Sequence, residues 1–520
     1  MNARSVFARL GIHHREHVSV ARDFSIYSAV NVVSLVLLLG ASLVLRRYLG
    51  PTLAGIWTAL EVLPVYATYA HLGTLTAAER ELPFLIGARR THEFERLKHT
   101  LLPLTHGLGL VLAVGLTIAA FTLKSRVSRP FFIGLLVYAP LLWAQLVATF
   151  YVLLFRARKR FVELSRRQGL SNLIEAALLV GCAYTFGLYG VYGALLVAAA
   201  VQLALFHTGV DEQFDRAFDR LLLGPLLVEG LPMLAGGVAF DTIRTADRIV
   251  IGFTLGASQL GVYSVTSLIC QGIYYLPNAL STVMYPRFQE RYGQTKTVVS
   301  LRRFVELPLL VLSDALLAAI AVLLIVLPPA IAAYLPQYTG TIAPLRVMLV
   351  GTYFLCLTPP AGQFLLTVHK QTPALFIALP STALALAAGY LGASRGLTGV
   401  AFGVAFACFI EFIGINAYAF SHFGGWRSIA RRLTGLSATA LVVVLIVSTI
   451  ERFVPLGPPL IAVVGGWRLA VVALVAGPLL ARAGRRLRSS PAVPATGSAE
   501  QAPSTSSGQA DSVDKVRAGH

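Results

Sequence analysis

Leu49-Gly50-Pro51-Thr52-Leu53-Ala54-Gly55-Ile56-Trp57, near the start of the chain, returns midway as Leu255-Gly256-Ala257-Ser258-Gln259-Leu260-Gly261-Val262-Tyr263. Both read Leu-Gly, four residues, Gly, a branched aliphatic residue and an aromatic. A second pair follows in the same order: Gly187-Leu188-Tyr189-Gly190-Val191 and Gly396-Leu397-Thr398-Gly399-Val400. The first pair is offset by 206 residues and the second by 209. Leu, Gly and Val are common here, so each motif alone is a weak signal. Two motifs in one order, at nearly one offset, mark a duplicated chain. Each sits between apolar stretches, where a tight turn calls for glycine.

The apolar stretches decide the class. The chain is 56% hydrophobic and 13% charged, with mean hydropathy +0.71. Soluble domains carry about 25% charged residues. Stretches of roughly 20 apolar residues, enough to cross a bilayer as helix, recur along most of the length. Alternating ten-residue segments are absent, which excludes an outer-membrane barrel. The pattern predicts an all-α polytopic membrane protein of about 14 spans. They lie near 24–45, 53–75, 101–122, 131–154, 168–186, 189–207, 225–250, 259–284, 304–328, 342–366, 372–392, 397–420, 434–453 and 460–481. The first follows a basic N-terminus but is too long for a signal-peptide core, so it reads as a retained span.

The net charge of +19 points to nucleic acid only until its distribution is seen. The even-numbered loops and both termini hold 32 of the 43 basic residues. The opposite side has seven: Arg46, Arg47, Lys124, Arg126, Arg129, Arg395 and Arg452. This asymmetry predicts both termini in the cytoplasm and spends the charge on topology and lipid contact. Cys182, Cys270, Cys356 and Cys408 fall in four separate spans and read as packing residues. His13, His14 and His17 lie on the N-terminal arm and make no metal motif. No metal or cofactor site is expected.

The repeats divide the chain. Residues 1–23 form a cytoplasmic arm, 24–208 a first six-helix bundle, 209–224 a cytoplasmic linker and 225–420 a second six-helix bundle. Residues 421–488 hold spans 13 and 14 with a basic end, and 489–520 read as a disordered tail. An even number of spans between equivalent points gives both halves one orientation. They are then parallel repeats about an axis along the membrane normal, the architecture of many transporters. No external loop exceeds about 15 residues, which argues against a soluble catalytic domain.

A more specific pattern runs through residues 241–288. It comprises Asp247-Arg248-Ile249-Val250-Ile251-Gly252, the Leu255–Tyr263 motif with Ser264, Leu276-Pro277, and Tyr285-Pro286-Arg287-Phe288. The first half agrees in Leu49-Gly50-Pro51 with Gly55, and more loosely in Glu81-Leu82-Pro83-Phe84. This resembles the polysaccharide flippases of the Wzx type, in the MOP superfamily that also holds the lipid II flippase MurJ and the MATE exporters. The resemblance covers about residues 24–420. It implies a V-shaped pair of six-helix bundles and movement of a polyprenyl-pyrophosphate-linked sugar chain to the outer leaflet of the bacterial inner membrane. It also implies cationic cavity residues for the pyrophosphate, and drive from an ion gradient or membrane potential. The characteristic loop of the major facilitator superfamily, also twice six spans, is not evident between spans 2 and 3.

Span 7 is richest in residues that carry chemistry. Asp241, Arg244 and Arg248 fall on one helical face, with Asp247 at its edge. A charge facing lipid costs roughly 2.5–3.5 kcal/mol on insertion scales, so these face protein or water. Two readings fit: a cavity stripe whose arginines take phosphate oxygens, and an internal Asp–Arg packing ladder. Gly230, Pro232, Gly236 and Gly237 in the same span fit either a hinge or close helix packing. Arg346 and Arg468 are further candidate phosphate contacts. Glu61, Glu175, Asp314 and Glu411 stand alone in other spans, as candidate ion-coupling carboxylates or as interfacial residues. Gly293-Gln294-Thr295-Lys296-Thr297 lacks the upstream spacing of a phosphate-binding loop, so no nucleotide site is expected.

The expectation is a non-enzymatic flippase for a lipid-linked oligosaccharide, working by alternating access. Its partners are that substrate, membrane lipids and polysaccharide polymerase or export machinery. A MATE-like exporter of small cations is the nearest alternative. A membrane glycosyltransferase, polymerase or ligase is the rival from another class, and an immobile assembly scaffold is a third.

Overall fold

The computed structural model describes residues 16–210, 218–295, 297–424, 431, 433–439, 441 and 476–486. Everything below lies in the unit of residues 22–489. Arg468, most of spans 13 and 14, the first part of the arm, much of the linker and the tail lie outside the described residues.

The described secondary structure is helical throughout, as the apolar stretches require. In chain order the helices are α1 (Glu16–Leu60), α2 (Val62–Ala67), α3 (Thr74–Gly87), α4 (Thr91–Leu123), α5 (Arg129–Ala157) and α6 (Phe161–His207). The second half holds α7 (Leu223–Thr254), α8 (Gly256–Thr295), α9 (Arg302–Tyr334), α10 (Ile342–Cys356), α11 (Pro359–Thr367), α12 (Gln371–Gly392) and α13 (Gly396–Ser421). The twelve spans expected between 24 and 420 all fall on these helices. Several are joined without a loop. α1 holds span 1 and the start of span 2 across a break at Gly50, and α6 holds spans 5 and 6 across a break at Gly187. Among the described residues, seven helical stretches are long and apolar enough to cross a membrane, eight counting the bent stretch 220–254.

The repeated motifs have a physical basis. The leading glycines, Gly50, Gly187, Gly256 and Gly396, have φ of +69°, +58°, +81° and +70°. Any other L-residue there costs about 1–2 kcal/mol. Each half therefore turns between its first two and its last two helices at a glycine of positive φ. The trailing glycines of the first pair do something else. A Cβ on Gly55 would lie 1.7 Å from the Ala257 carbonyl oxygen, and one on Gly261 would lie 1.6 Å from that of Pro51. Pro51 and Ala257 are themselves 206 residues apart, so the contact is reciprocal. The two halves cross on their internal pseudo-twofold axis with the backbones touching. Further along the same seam, a Cβ on Gly230 would lie 2.3 Å from the carbonyl oxygen of Gly73.

Two other tethers bear on the sequence reading. Asp219, at the end of the linker, accepts from the Leu221 backbone N–H at 2.9 Å and pairs with Arg96 of α4. Its own N–H donates to Thr100 Oγ1 at 3.1 Å. Residues 476–486 are helical and dock on α9. There Arg486 donates to the Leu310 carbonyl at 2.9 Å and pairs with Asp314 at 3.0 Å.

Candidate functional site

The charged stripe of α7 lies where the halves meet. Arg244 Nη1 is 2.7 Å from Asp241 Oδ1, the pairing expected at a three-residue spacing. The guanidinium also sits 4.5 Å over the Tyr274 ring, a cation–π contact. The other Asp241 oxygen accepts from Tyr69 Oη at 2.7 Å, so this carboxylate joins the halves. Asp247 is buried and doubly held: Oδ1 accepts from the Arg248 backbone N–H at 2.7 Å, and Oδ2 from Tyr263 Oη at 2.8 Å.

Arg248 is the exception in the stripe. It is 5% exposed; its Nε, like that of Arg244, is buried without a hydrogen bond, and what sets it apart is the ion pair it lacks. Among the described residues its guanidinium makes no ion pair. The packing-ladder reading therefore holds for Arg244 with Asp241 and not for Arg248. Arg244, Asp247, Arg248, Ser267, Tyr274 and Thr352 line a chamber of about 10 Å³, room for one water.

Arg46 belongs to the same cluster and was misplaced by sequence reasoning, which assigned it to an external loop. The α1 helix runs on to Gly50, so Arg46 lies inside it, 1% exposed. Its Nε donates to Ser264 Oγ in the second half at 2.8 Å, and its Nη2 is 3.9 Å from Glu61. Its guanidinium lies 5.1 Å over the Trp57 ring, and its carbonyl accepts from Tyr338 Oη at 2.6 Å. Arg248 is near enough to act electrostatically on both Arg46 and Glu61. The signal available was position: Arg46 precedes the Leu-Gly turn by one helical turn, too early for a loop.

The remaining candidates divide. Glu61 stands just before α2 beside Arg46, and half-buried Glu175 of α6 feels the Glu61 charge. Arg346 is half-buried on α10, just past the turn whose Tyr338 and Thr341 contact α1 and α8. Asp314 is bound by Arg486, which gives it a structural tie to the chain's C-terminal helix. Glu411 is buried in α13, 3% exposed, with Ser381 as a partner and Oε2 lacking a hydrogen bond. The glycine- and proline-bearing part of α7 is bent, and one of its glycines makes a close contact. The helix turns by 50° between Val228 and Gly230, and Gly237 makes room for the Tyr69 ring, which a Cβ would approach to 2.8 Å. Gly236 faces open space. Sequence reasoning also missed Tyr66 and Tyr69, whose hydroxyls reach across to α7.

Comparison with known proteins places this geometry. Residues 89–335 match the family described as polysaccharide biosynthesis protein. That range contains the whole 241–288 signature. No curated protein sequence matches the chain. Among solved structures, the lipid II flippase MurJ in an inward closed conformation superposes with TM-score 0.68. It is 12% identical, over 89% of this chain and 99% of that one. The chain has the MOP-superfamily fold. The sequence match to the polysaccharide biosynthesis family covers residues 89–335, under half of the chain. An inward-facing multidrug resistance MATE transporter of this superfamily follows at TM-score 0.59 and 14% identity, covering 80% of this chain and 99% of that one. A MOP transporter from Pyrococcus furiosus superposes at 0.56 with 16% identity, over 84% and 97%. That protein is described as having a binding pocket of reverse polarity that suggests a different function. The expected fold class and family resemblance are thus borne out, and these relatives are transporters.

Proposed function

We propose that this MOP protein is a flippase for a polyprenyl-pyrophosphate-linked oligosaccharide, carrying it across the bacterial inner membrane for surface polysaccharide biosynthesis. The observation that carries the reading is Arg248. The cluster at the halves' junction is balanced by type, with Arg46, Arg244 and Arg248 against Glu61, Asp241 and Asp247. Net charge therefore decides nothing between anion and cation. Availability does. Asp247 and Asp241 each have both oxygens engaged, whereas Arg248, among the described residues, makes no direct ion pair and feels Asp247 and Glu61 only through their charge. A desolvated charge is tolerated only if something pairs with it during the working cycle. A guanidinium is matched to two phosphate oxygens. Within the α7 stripe, a small organic cation would have to take a carboxylate already in use.

The basic-residue asymmetry puts the Gly50, Gly187, Gly256 and Gly396 turns on the periplasmic side and the Gly73/Gly230 contact toward the cytoplasm. The outer crossing is closed here. The protein makes no covalent change. Rocking of the halves, with the Gly55/Gly261 crossing as the outer gate that parts, exposes the arginines to one side and then the other. The test is a deletion strain. Lipid-linked sugar units should accumulate in the inner leaflet, shielded from an impermeant lectin, because a glycan pyrophosphate cannot enter hydrocarbon unaided. Normal precursor levels with normal surface glycan, in a strain holding no second flippase, would exclude the reading. Altered sensitivity to cationic compounds with intact surface glycan would favour the exporter.

A further inference from the structure

His71-Leu72-Gly73-Thr74 interrupts span 2. The chain passes from a short 3₁₀ turn, Thr68–His71, into α3 through two residues of left-handed backbone, Leu72 at φ +50° and Gly73 at φ +83°. A leucine rarely adopts that conformation, so something must hold it. The equivalent helix of the second half, α8, runs unbroken from Gly256 to Thr295. The break is thus a property of this turn and not of the fold. The Leu72 N–H donates to the Tyr69 carbonyl at 3.0 Å, and the Ala77 N–H to the Gly73 carbonyl at 2.9 Å. His71 takes part in two further bonds. Its carbonyl accepts from Thr74 Oγ1 at 2.7 Å, and its Nδ1 accepts from the Gly73 N–H at 3.0 Å. The residue is buried.

The turn also belongs to the contact between the halves. Tyr69, two residues before His71, donates to Asp241 of α7 at 2.7 Å. Gly73, two residues after it, meets Gly230 of α7 backbone to backbone, where a Cβ on Gly73 would lie 2.4 Å from the Gly230 carbonyl carbon. A contact that close tolerates little movement of Gly73. It is the inner gate, on the cytoplasmic side in the proposed topology.

We infer that His71 is a proton-operated clasp on this inner gate: the neutral ring holds Gly73 against Gly230, and the protonated ring lets it go. An imidazole nitrogen accepts an N–H only through its lone pair, so the bond to Gly73 requires the tautomer with hydrogen on Nε2. A proton on Nδ1 turns the acceptor into a donor that faces another donor. The Gly73 N–H then loses its partner, and a buried donor left unpaired destabilises the arrangement that buries it. The closed gate therefore binds one proton fewer than the released one, and acid favours release. The other charged and titratable groups around the turn are already engaged. Glu79 of α3 acts on the ring through its charge, and Arg156 of α5 holds Glu79 at 3.0 Å. Tyr69 and Asp241 hold each other. Of the helices packed on the turn, α4 carries His99 beside Glu95, and His106 with its ring 5.5 Å from that of Trp143 of α5. The clasp concerns the gate alone and is independent of what the protein carries.

The experiment uses the full-length protein in lipid nanodiscs, with spin labels on Phe84→Cys of α3 and Val228→Cys of α7, exposed residues of two helices that pack together. Distances are read at about pH 8 and about pH 5, on either side of the ordinary imidazole value of about 6.5. The native ring should give a short distance at the higher pH. A longer component should rise at least about fivefold at the lower pH, the low end of the effect of orphaning a buried donor. His71→Asn should stay short at both, because its amide oxygen accepts the same N–H and does not titrate. His71→Ala should show the longer component at both, and His106→Asn should respond as the native protein does. A distance that ignores pH in the native protein overturns the inference, and so does a His71→Asn protein that still responds. A ¹⁵N spectrum of histidine-labelled protein tests the premise separately, with the His71 signals assigned by their loss in either variant. Hydrogen on Nε2 alone is expected at the higher pH and on both nitrogens at the lower. Hydrogen on Nδ1 at the higher pH, or a ring still neutral at the lower, overturns the clasp.

Discussion

Gly261→Ala is the sharpest perturbation the structure allows. The new methyl would sit 1.6 Å from the Pro51 carbonyl oxygen, and backbone cannot step aside as a long side chain can. Restoring an ordinary C···O separation of about 3.3 Å requires the helices to part by about 1.7 Å at the crossing. Overpacking of this kind costs about 1–3 kcal/mol, and each 1.4 kcal/mol is tenfold in an equilibrium. The closed outer crossing should therefore lose roughly tenfold to a hundredfold in population relative to states in which the halves have separated. Gly256→Ala is the control. Its φ of +81° makes any side chain strained, yet a Cβ there meets open space. It should lower stability by about 1–2 kcal/mol without shifting the gate. The assay is the distance distribution between spin labels on Thr52→Cys and Ser258→Cys, exposed residues that are repeat equivalents beside the crossing. The native cysteines are buried or half-buried, so the introduced pair takes the label. A longer distance in Gly261→Ala and an unchanged one in Gly256→Ala is expected. Unchanged distances in both, with the protein folded, would refute the claim that this glycine pair is the gate.

Arg248→Ala should bind polyprenyl pyrophosphate at least about tenfold more weakly, from the loss of charge-assisted hydrogen bonds. The empty protein should lose no thermal stability, and Arg248→Lys should recover function only in part. Wild-type export by Arg248→Ala would remove the phosphate role. Reporter fusions after residues 95, 160, 295 and 425 should read cytoplasm, and those near 126, 257 and 395 periplasm. A periplasmic signal at 160 or 295 would overturn the 14-span topology. The Leu221 N–H and the Arg96 guanidinium lower the Asp219 pKa below its ordinary value. The linker clasp should therefore hold through neutral pH and loosen only as pH falls through that lowered value. Hydrogen exchange at Leu221 measures it, and Asp219→Asn should remove the pH dependence.

The fold was legible because its determinants are local and periodic. Apolar length gave the helices, and the motif pairs gave the duplication. The turn glycines were legible for a stated reason, since Leu-Gly between two apolar runs leaves few backbone choices. What could not be read was where turns replace loops. At Gly50 and Gly187 one helix ends and the next begins across a single non-helical glycine, so loops drawn around them were too long. That error carried Arg46 out of the membrane on paper. The role of Gly55 and Gly261 was equally hidden, because close approach across 206 residues is a tertiary fact.

The site was half legible for a different reason. Spacing along α7 showed that Asp241, Arg244 and Arg248 share a face, and it showed that carboxylates were within reach. It could not show which arginine would use them. Asp247, the nearest acid to Arg248 in sequence, is turned to Tyr263 and to a backbone N–H. Asp241 is shared between Arg244 and a tyrosine of the other half. Both choices depend on residues outside α7, Tyr263 of the next helix for Asp247 and Tyr69 of the opposite bundle for Asp241. Arg248 is left over by this distribution. A ladder for packing would have paired all its charges. Under the proposed flippase function, a buried guanidinium that makes no direct ion pair has a position to fill at the junction of the halves, where a carried anion would pass.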